Sequence, residues 1–272
     1  MSVDRAGRDY WDQLWASAPP PGAFDPSRPG LRNFLNRNLD GEFRRVFAGC
    51  GLGPGTRSLE IGCAQSYWLP HFGRAYGFAV AGLDYSAIGC ERSRALLARE
   101  GVAGEVVQAD LFDPPARLEG AFDLVFSRGV VEHFEDTAGT LRAFARFARP
   151  GGFVVTTIPN LSGLLGPLQK FLYRPVYDVH VPLDADDLAR GHADAGLAVR
   201  SCHYFLFANV GMCHLGDMPR DSAEYLVKKA LLAAAGRLNM LTWIVEERVR
   251  LPPNRLTSPF IVCVAEKPGA RG

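Results

Sequence analysis

The chain has 272 residues, and its 30 Lys and Arg nearly balance its 29 Asp and Glu, so the net charge is +1. Hydrophobic residues make up 47% and charged residues 22%, values that are typical of a globular protein and exclude a disordered chain. The neutral balance also argues against a groove that binds nucleic-acid phosphates, which would carry a clear cationic excess.

Six Cys are present without a C-x-x-C pair or another metal-ligand spacing, so we expect reduced thiols in a cytoplasmic protein. The first residues lack the apolar core of a signal peptide, and no stretch is long and apolar enough to span a bilayer. We therefore expect neither a nucleic acid nor a membrane among the partners of this protein.

The first 30 residues are expected to form an N-terminal lid and linker. Residues 9–15 are compatible with a helix, in which Trp11 and Trp15 share one face because they lie four residues apart. Five Pro between residues 18 and 29 exclude a helix there and indicate a linker.

From residue 57 onward, short apolar runs of strand length alternate with helix-like stretches. The predicted strands cover residues 58–61, 79–83, 106–109, 122–126 and 153–158. The predicted helices cover residues 33–48 before the first strand, and 67–76, 87–99 and 137–148 between strands. Continuous apolar strands separated by helices indicate a parallel sheet that is covered on both faces. The ARPGG sequence at 148–152 predicts a helix end and a tight turn before the fifth strand.

After the fifth strand the pattern changes, and residues 159–181, which are rich in Gly, Pro, Leu and aromatic residues, indicate an inserted cap. The elements predicted next are a helix over 184–195, a strand over 197–207, a long helix over 222–249 and a final strand over 258–266. A second cap segment is expected at about 208–250. Because the last strand returns after a long helix, we expect it to lie antiparallel at the edge of the sheet.

Together these elements predict an α/β fold with a Rossmann-like, seven-stranded, mostly parallel sheet, helices on both faces and an antiparallel last strand. The main domain is expected to cover residues 31–272. Apolar residues on the long helix follow helical spacing, which indicates either a core face or the interface of a homodimer. They are Leu226, Ala230, Leu231, Ala234, Leu238, Leu241 and Val245.

The loop after the first predicted strand carries small residues, in the sequence Leu59-Glu60-Ile61-Gly62-Cys63-Ala64-Gln65-Ser66. Such a loop lets backbone N–H groups and a helix N-terminus face a ligand. The second predicted strand ends in Gly82-Leu83-Asp84-Tyr85-Ser86, and an acid at this position can accept both hydroxyls of a ribose. Dinucleotide enzymes and S-adenosylmethionine enzymes share both features.

Two details separate these classes. A dinucleotide fingerprint that begins at Gly62 requires two further glycines, but Ala64 and Tyr67 stand in their places. The third strand ends in Gln108-Ala109-Asp110-Leu111-Phe112, and this second carboxylate suits the exocyclic amine of adenine. An NAD-dependent oxidoreductase is therefore disfavoured but stays an alternative, as does a non-catalytic cofactor-binding module.

The motifs LEIGC, GLDYS, QADLF, FDLVFSRGVVEHF and RPGG occur in this order, and as a set they resemble those of the class I S-adenosylmethionine-dependent methyltransferases. The resemblance covers residues 57–158 and extends more loosely through the last strand. The VVEHF segment is similar to the small-molecule branch that includes the ubiquinone-biosynthesis O-methyltransferases. This resemblance implies transfer of a methyl group from S-adenosyl-L-methionine to a small-molecule acceptor, with a hydroxyl oxygen as the expected atom. Methylation of nitrogen, carbon or a carboxylate by the same scaffold is the alternative.

The resemblance also implies which residues bind the cofactor. Ribose would contact Asp84 beside Tyr85, adenine would contact Asp110 and Leu111, and the methionine end would contact Ser127. The remaining residues expected at the cofactor are Glu60, Gly62, Cys63 and Ala64 in the first loop, together with Trp11 and Trp15. The two Trp either close over the cofactor as a lid or pack an N-terminal helix on the core.

His133 follows the fourth strand, where this family has its acceptor site, and a reference pKa near 6.5 suits a general base. His180 is the second catalytic candidate. Each has a plainer interpretation, a packed or capping His for His133 and an ordinary loop His for His180. Metal-using relatives carry a Glu at the position of Gly129, so we expect no catalytic metal here, although Glu132, His133 and a later His could still form a site.

Overall fold

The structure, a computed structural model, describes residues 3–22 and 24–269, so the expected domain limits at residues 1 and 272 lie outside the described residues. The helices are α1 (Gly7–Ser17), α2 (Phe34–Gly49), α3 (Trp68–Tyr76), α4 (Ala87–Arg99), α5 (Thr137–Phe147), α6 (Leu165–Leu172), α7 (Arg174–Asp178), α8 (Ala185–Asp194) and α9 (Ala223–Glu246). The strands are β1 (Arg57–Ile61), β2 (Ala79–Asp84), β3 (Gly104–Gln108), β4 (Phe122–Arg128), β5 (Ala148–Pro159), β6 (Ala198–Phe205) and β7 (Phe260–Glu266). The predicted Rossmann-like α/β fold with a seven-stranded, mostly parallel sheet is confirmed. Across residues 3–22 and 24–269, no helix combines the length and the apolar character that crossing a bilayer requires.

The strand order is β3-β2-β1-β4-β5-β7-β6, and β7 lies antiparallel between β5 and β6. The expected antiparallel last strand is confirmed, but its expected place at the edge is wrong, because β6 forms that edge. Six of the seven β7 residues are buried, whereas the residues of β6 are exposed or only half-buried. A strand that is apolar on both faces is most stable inside a sheet, and a half-polar strand tolerates the edge.

The fifth strand begins at Ala148 rather than at Phe153, so the predicted turn at 148–152 is wrong. Ala148 already pairs with Phe122 of β4, and the register then shifts before Leu124 pairs with Phe153. The glycines that suggested a turn instead form an irregular start to the strand, with Gly151 at a φ of 73°.

Two apolar cores cover the two faces of the sheet. On one face α2 and α3 pack aromatic side chains, including Phe43 and Phe72, against the strands. On the other face α5 and α8 contribute Phe144 and Leu188. Both faces are therefore buried, and the ends of the strands remain as the place for a binding site.

The apolar stripe predicted on α9 does not belong to either core, so the predicted core face is wrong. Asn239 is its only buried residue, whereas Leu226 is 57% exposed and Leu238 is 66% exposed. The helix packs through its opposite side on α6 and on the loop before it, where Leu232 joins a small cluster with Leu172. The alternative interpretation as an interface stays a prediction.

Candidate active site

The candidate site lies where the strand order reverses. The chain proceeds outwards from β1 through β2 to β3, and in the other direction from β4 to β5. In open α/β sheets, ligands bind outside the carboxyl ends of the strands at such a switch point. The loops after β1, β2 and β4 meet there, and α1 packs over them.

The loop after β1 requires glycine at its first position. Gly62 has a φ of 72°, and a Cβ there would lie 2.5 Å from Val130 Cγ2. Ala64 replaces the second glycine of the usual motif, and a Cβ added at Gly89 on α4 would lie 2.6 Å from Ala64 Cβ. Gly89 therefore provides the space for the Ala64 methyl group, so the facing helix compensates for the departure from the motif.

Asp84 is buried at the end of β2, and each carboxylate oxygen accepts a backbone N–H. Ala64 donates at 3.1 Å and Ser86 at 2.8 Å. Burial raises the pKa of Asp84 to about 6, although these hydrogen bonds oppose the shift. The carboxylate is thus fixed in place and mostly ionised at pH 7, and it keeps free lone pairs for hydroxyl donors.

The N-terminal segment is held over these loops by polar contacts. Tyr85 donates its hydroxyl to Asp4 at 2.9 Å, and the Ser86 hydroxyl donates to Asp12 on α1. Arg92 of α4 donates to backbone carbonyls at the C-terminal end of α1. The segment is therefore attached to the second strand and the helix after it, while α1 itself has no buried residue.

A first cavity of about 60 Å³ lies between α1 and the loops after β1, β2 and β4. The predicted site residues that line it are Trp11, Trp15, Gly62, Asp84, Tyr85, Leu111 and His133. Trp11 and Trp15 stack with ring centroids 5.7 Å apart, so the two indoles form one apolar wall.

The other predicted cofactor-binding residues do not line this cavity. Glu60, Cys63 and Ser127 are buried in or directly behind the sheet. Ala64 contributes through its N–H to Asp84. Asp110 is exposed, and its carboxylate accepts the backbone N–H of Phe112 at 2.9 Å. Their roles toward a ligand stay predictions.

A second cavity of about 360 Å³ adjoins the first and shares Trp11, Gly129 and His133 with it. Its walls come from the ends of β4 and β5, from α6 and α7, and from the loop before α9. The polar residues that line it are Arg128, Glu132, His133, Thr157, Gln169, His180 and His214. A donor bound in the first cavity and an acceptor bound in the second would meet at Gly129 and His133.

The rings of His133 and His180 lie together, with centroids 4.4 Å apart. His133 Nδ1 is 2.9 Å from the Val179 carbonyl, and His180 Nδ1 is 2.7 Å from the Val176 carbonyl. A carbonyl only accepts, so each Nδ1 carries the proton and each Nε2 is left as an acceptor. Burial lowers the pKa of His133 to about 4, and burial together with His133 lowers the pKa of His180 to about 3. Both rings are therefore neutral at pH 7.

Glu132 was not predicted as a catalytic residue, yet it lies at the centre of this cluster. It is buried, and neither carboxyl oxygen has a hydrogen-bond partner among the described residues. Burial raises the pKa of Glu132 to about 8. Ligand atoms of Glu132, His133 and His180 lie within 4.8 Å of one another, so these residues could hold a divalent cation.

A family model described as a methyltransferase domain matches residues 31–202, more than half of the chain. The chain belongs to this family. The resemblance to the class I S-adenosylmethionine-dependent methyltransferases is thereby confirmed. Most of the residues that line the two adjoining cavities lie within this matched segment.

The ubiquinone biosynthesis O-methyltransferase of Aromatoleum aromaticum is 32% identical over 151 residues, 53% of this chain and 64% of that protein. The sarcosine/dimethylglycine N-methyltransferase of Halorhodospira halochloris is 34% identical over 110 residues, 40% of this chain and 39% of that protein. A structure of geranyl diphosphate C-methyltransferase from Streptomyces coelicolor A3(2), with Mg²⁺, geranyl diphosphate and S-adenosyl-L-homocysteine, has a TM-score of 0.60 at 14% identity and covers 96% of this chain and 97% of that chain. The sequence matches span less than two thirds of these curated relatives. Their names include methylation of oxygen, nitrogen and carbon.

Several residues that line the methyltransferase site were missed by sequence analysis. Arg128 and Phe134 lie within the FDLVFSRGVVEHF motif, so their place after β4 could have been inferred from it. Asp4, Gln169 and His214 come from segments without a periodic pattern that would place them at the end of the sheet. Only the tertiary fold brings those three to the cavities.

Proposed function

We propose that this protein transfers a methyl group from S-adenosyl-L-methionine to a hydroxyl oxygen of a small-molecule acceptor. The observation that carries the proposal is the meeting of the two cavities at Gly129 and His133. The fixed carboxylate of Asp84 lies on one side of that junction. The neutral imidazole of His133, whose Nε2 is free, lies at the junction itself.

The first cavity suits the nucleoside part of the methyl donor. Asp84 offers acceptor lone pairs for the ribose hydroxyls, while Trp11, Trp15 and Leu111 offer apolar surface for adenine. At about 60 Å³ it is smaller than a typical ligand pocket of roughly 300–1,000 Å³. We therefore assign residues 1–30 as a lid and linker whose helix α1 moves outward when the donor binds. We also assign Asp110 to the exocyclic amine of adenine, which would reach Asp110 after α1 has moved outward.

His133 acts as the general base in this proposal. Its Nδ1–H is held by the Val179 carbonyl, so Nε2 accepts the proton of the acceptor hydroxyl. The oxygen electron pair forms the new bond to the methyl carbon that S-adenosyl-L-methionine supplies, and the carbon–sulfur pair stays on sulfur. The reaction leaves a methyl ether, S-adenosyl-L-homocysteine and a protonated His133. Alignment of the two reactants and exclusion of water supply most of the rate enhancement.

His180 has a supporting role. It contacts His133 and is itself held by the Val176 carbonyl at 2.7 Å, so it restricts the orientation of the His133 ring. A metal-assisted reaction is the second candidate, because Glu132 adds a carboxylate without a partner beside the two rings. A cation there would lower the pKa of the acceptor hydroxyl and replace His133 as the activating group.

The acceptor pocket is assigned to the second cavity and to the cap segments at about 159–181 and 208–250. The cap contributes apolar side chains such as Leu161, Val176 and Met212, whereas β4 and β5 contribute polar ones. This division fits an acceptor that has an apolar or aromatic body and a hydroxyl group that reaches His133. At about 360 Å³ the cavity has the size of a small-molecule site.

Calorimetry with S-adenosyl-L-homocysteine and with NAD tests the proposal directly. We expect binding of S-adenosyl-L-homocysteine and none of NAD, followed by S-adenosyl-L-homocysteine release when phenolic acceptors are supplied with the methyl donor. Binding of NAD instead would support an oxidoreductase. Donor binding without turnover across phenols, amines and carboxylates would support a non-catalytic module.

We also propose that α9 forms a homodimer with the same helix of a second copy. Its exposed residues Val227, Leu231, Leu238, Leu241 and Val245, with Ala234 between them, are spaced alternately by four and three residues. This is the spacing of a seam between two helices that pack nearly parallel or antiparallel. The helix is about 36 Å long, so the exposed strip is large for a monomer surface.

The apolar positions of the strip match one another in an antiparallel pair of these helices. With Leu238 opposite its own copy, Leu231 faces Val245 on the partner copy. An interfacial membrane helix would instead carry a strongly basic face and exposed aromatic residues. Here Trp243 points inward, donating to the Ala208 carbonyl at 3.0 Å.

A further inference from the structure

Besides the carboxyl oxygens of Glu132, two buried polar atoms of side chains that line the second cavity have no hydrogen-bond partner among the described residues. They are the Nε of Arg128 at the end of β4 and the hydroxyl of Thr157 on β5. The two residues are paired in the parallel register of β4 and β5, so their side chains project from the same face of the sheet. Both line the second cavity.

The Arg128 guanidinium also has no ion pair in the described part of the chain: no carboxylate there lies within 4.0 Å of it. It rests instead on the ring of Phe260, with Cζ 5.6 Å from the ring centroid. The nearby carboxyl of Glu60 has its pKa raised to about 8 by burial, even though Arg128 opposes the shift. A half-buried cation that has no carboxylate within ion-pair distance lacks a counter-charge.

A carboxylate is the ligand that this arrangement fits. Arg presents several N–H donors in a planar fork that matches the two oxygens of a carboxylate, and the Thr157 hydroxyl adds a further donor. Leaving a buried charge without a partner is costly, so an anionic ligand would gain affinity from filling this place.

The position of Arg128 along the chain indicates which carboxylate it binds. Arg128 directly precedes Gly129, which lines both cavities, and directly follows Ser127, the residue expected at the methionine end. With the nucleoside at Asp84 and the reacting methyl group at the junction, the amino-acid end of the donor extends past Gly129 toward Arg128.

We propose that Arg128, together with the Thr157 hydroxyl, binds the α-carboxylate at the methionine end of the methyl donor. This assignment rests on the proposed function, and it gives the second cavity two uses. The part at the ends of β4 and β5 holds the amino-acid end of the donor, and the part under α6 and α7 is left for the acceptor.

The test compares two ligands that differ in the amino-acid end alone. S-adenosyl-L-homocysteine carries the α-carboxylate, whereas 5′-methylthioadenosine has the same nucleoside and thioether without it. We expect Arg128→Gln to weaken S-adenosyl-L-homocysteine binding by about 10- to 100-fold in calorimetry while 5′-methylthioadenosine binding stays within about twofold. Arg128→Lys is expected to restore part of the loss, and Thr157→Val to weaken the same ligand by a few-fold.

Arg190→Gln on the exposed surface of α8 is the matched control, and thermal melting checks that each variant is folded. An equal loss for both ligands would assign Arg128 a structural role and overturn the proposal. Unchanged affinity for S-adenosyl-L-homocysteine would overturn it as well, and would assign the site to an anion on the acceptor. If the wild-type chain itself fails to bind S-adenosyl-L-homocysteine, the proposed function fails, which is a different result from an insensitive Arg128 variant.

Discussion

The indole of Trp11 packs edge-on against the imidazole of His133, with ring centroids 5.0 Å apart and planes inclined by 87°. Trp11 belongs to α1, whereas His133 follows β4, so this contact joins the N-terminal helix to the junction of the two cavities. Both rings line the first cavity, so a ligand that fills this cavity would lie against the contact between them. The contact therefore links donor binding to the position of the proposed base.

We expect Trp11→Ala to weaken S-adenosyl-L-homocysteine binding by about tenfold, because the aromatic wall over the nucleoside is lost. Turnover at saturating donor should also fall, since His133 loses the ring that packs against it. Calorimetry and initial rates measure the two effects separately. Leu14→Ala, on the same helix but 38% exposed, is the control and should change neither quantity. Equal behaviour of the two variants would contradict the lid assignment.

His133→Gln should lower kcat by about 10²- to 10⁴-fold with a hydroxyl acceptor, because the group that takes the proton is removed. Affinity for S-adenosyl-L-homocysteine should change little, since the ring contacts the junction rather than the nucleoside. His192→Gln is a control for loss of a buried His, because His192 bonds Thr156 away from both cavities. Full activity in His133→Gln would contradict the base mechanism and favour a carboxylate acceptor, which needs no base. Metal analysis of the purified wild type distinguishes the base mechanism from the metal-assisted reaction, in which His133 would be a ligand of the cation.

Glu132 makes the stability of the protein depend on pH in a defined direction. Its pKa is about 8 in the folded protein, against 4.5 as the ordinary value, because the side chain is buried. The folded state therefore holds a proton that the unfolded state releases, so this contribution is fully present below about pH 4.5 and is lost as pH rises toward 8. Glu132→Gln should be more stable than the wild type at pH 7.5, with a difference that grows by up to about 1.4 kcal/mol per pH unit across that window.

Thermal or urea unfolding at several pH values measures this difference. Glu224→Gln, at the exposed start of α9, serves as the control and should show no such trend. A wild type that is more stable than Glu132→Gln at pH 7.5 would mean that Glu132 is ionised and paired in the folded protein, for example with a bound cation.

Asp84→Asn should weaken S-adenosyl-L-homocysteine binding by about 10- to 100-fold, because an amide offers one acceptor oxygen where the carboxylate offers two. Asp110→Asn tests the adenine contact and should weaken binding by a smaller factor, since Asp110 is exposed and already bonds Phe112. Asp113→Asn, in the same loop, is the control. Calorimetry measures the affinity of all three variants for S-adenosyl-L-homocysteine. An unchanged affinity in Asp84→Asn would contradict the assignment of Asp84 to the ribose.

Leu238→Glu should convert the proposed dimer into a monomer, because each copy would place a charge at the centre of the seam. Light scattering after size-exclusion chromatography measures the mass directly. Leu256→Glu, also exposed but outside α9, should leave the dimer intact. A monomeric wild type would contradict the interface. Sedimentation of that monomer with phosphatidylglycerol vesicles, abolished by Leu238→Glu, would assign the strip to a lipid surface instead.

Most of the fold followed from local patterns. Apolar runs such as 79–83 and 122–126 are buried along their whole length only in a sheet that is covered on both faces. The helices between these runs indicate that the strands are parallel. The position of β7 could not be predicted from local patterns, because its insertion between β5 and β6 depends on which distant strands pair with each other. The exposure of α9 could not be predicted either, since an apolar stripe at helical spacing has the same sequence whether it faces a core or another molecule.

The nucleoside side of the site was predictable to a similar degree. Gly62 and Asp84 occupy motif positions whose geometry is set by one strand and one turn, so the sequence by itself determined them. The acceptor side was decided by the tertiary structure, which brings Arg128 and Glu132 from one segment and His180 from another to a single cavity. The altered proton affinities of Glu132 and His180 arise mainly from burial, which a linear sequence does not record. The near-neutral composition thus indicated a globular protein without a nucleic-acid groove, and only the folded chain revealed a cation without a partner at the end of β4.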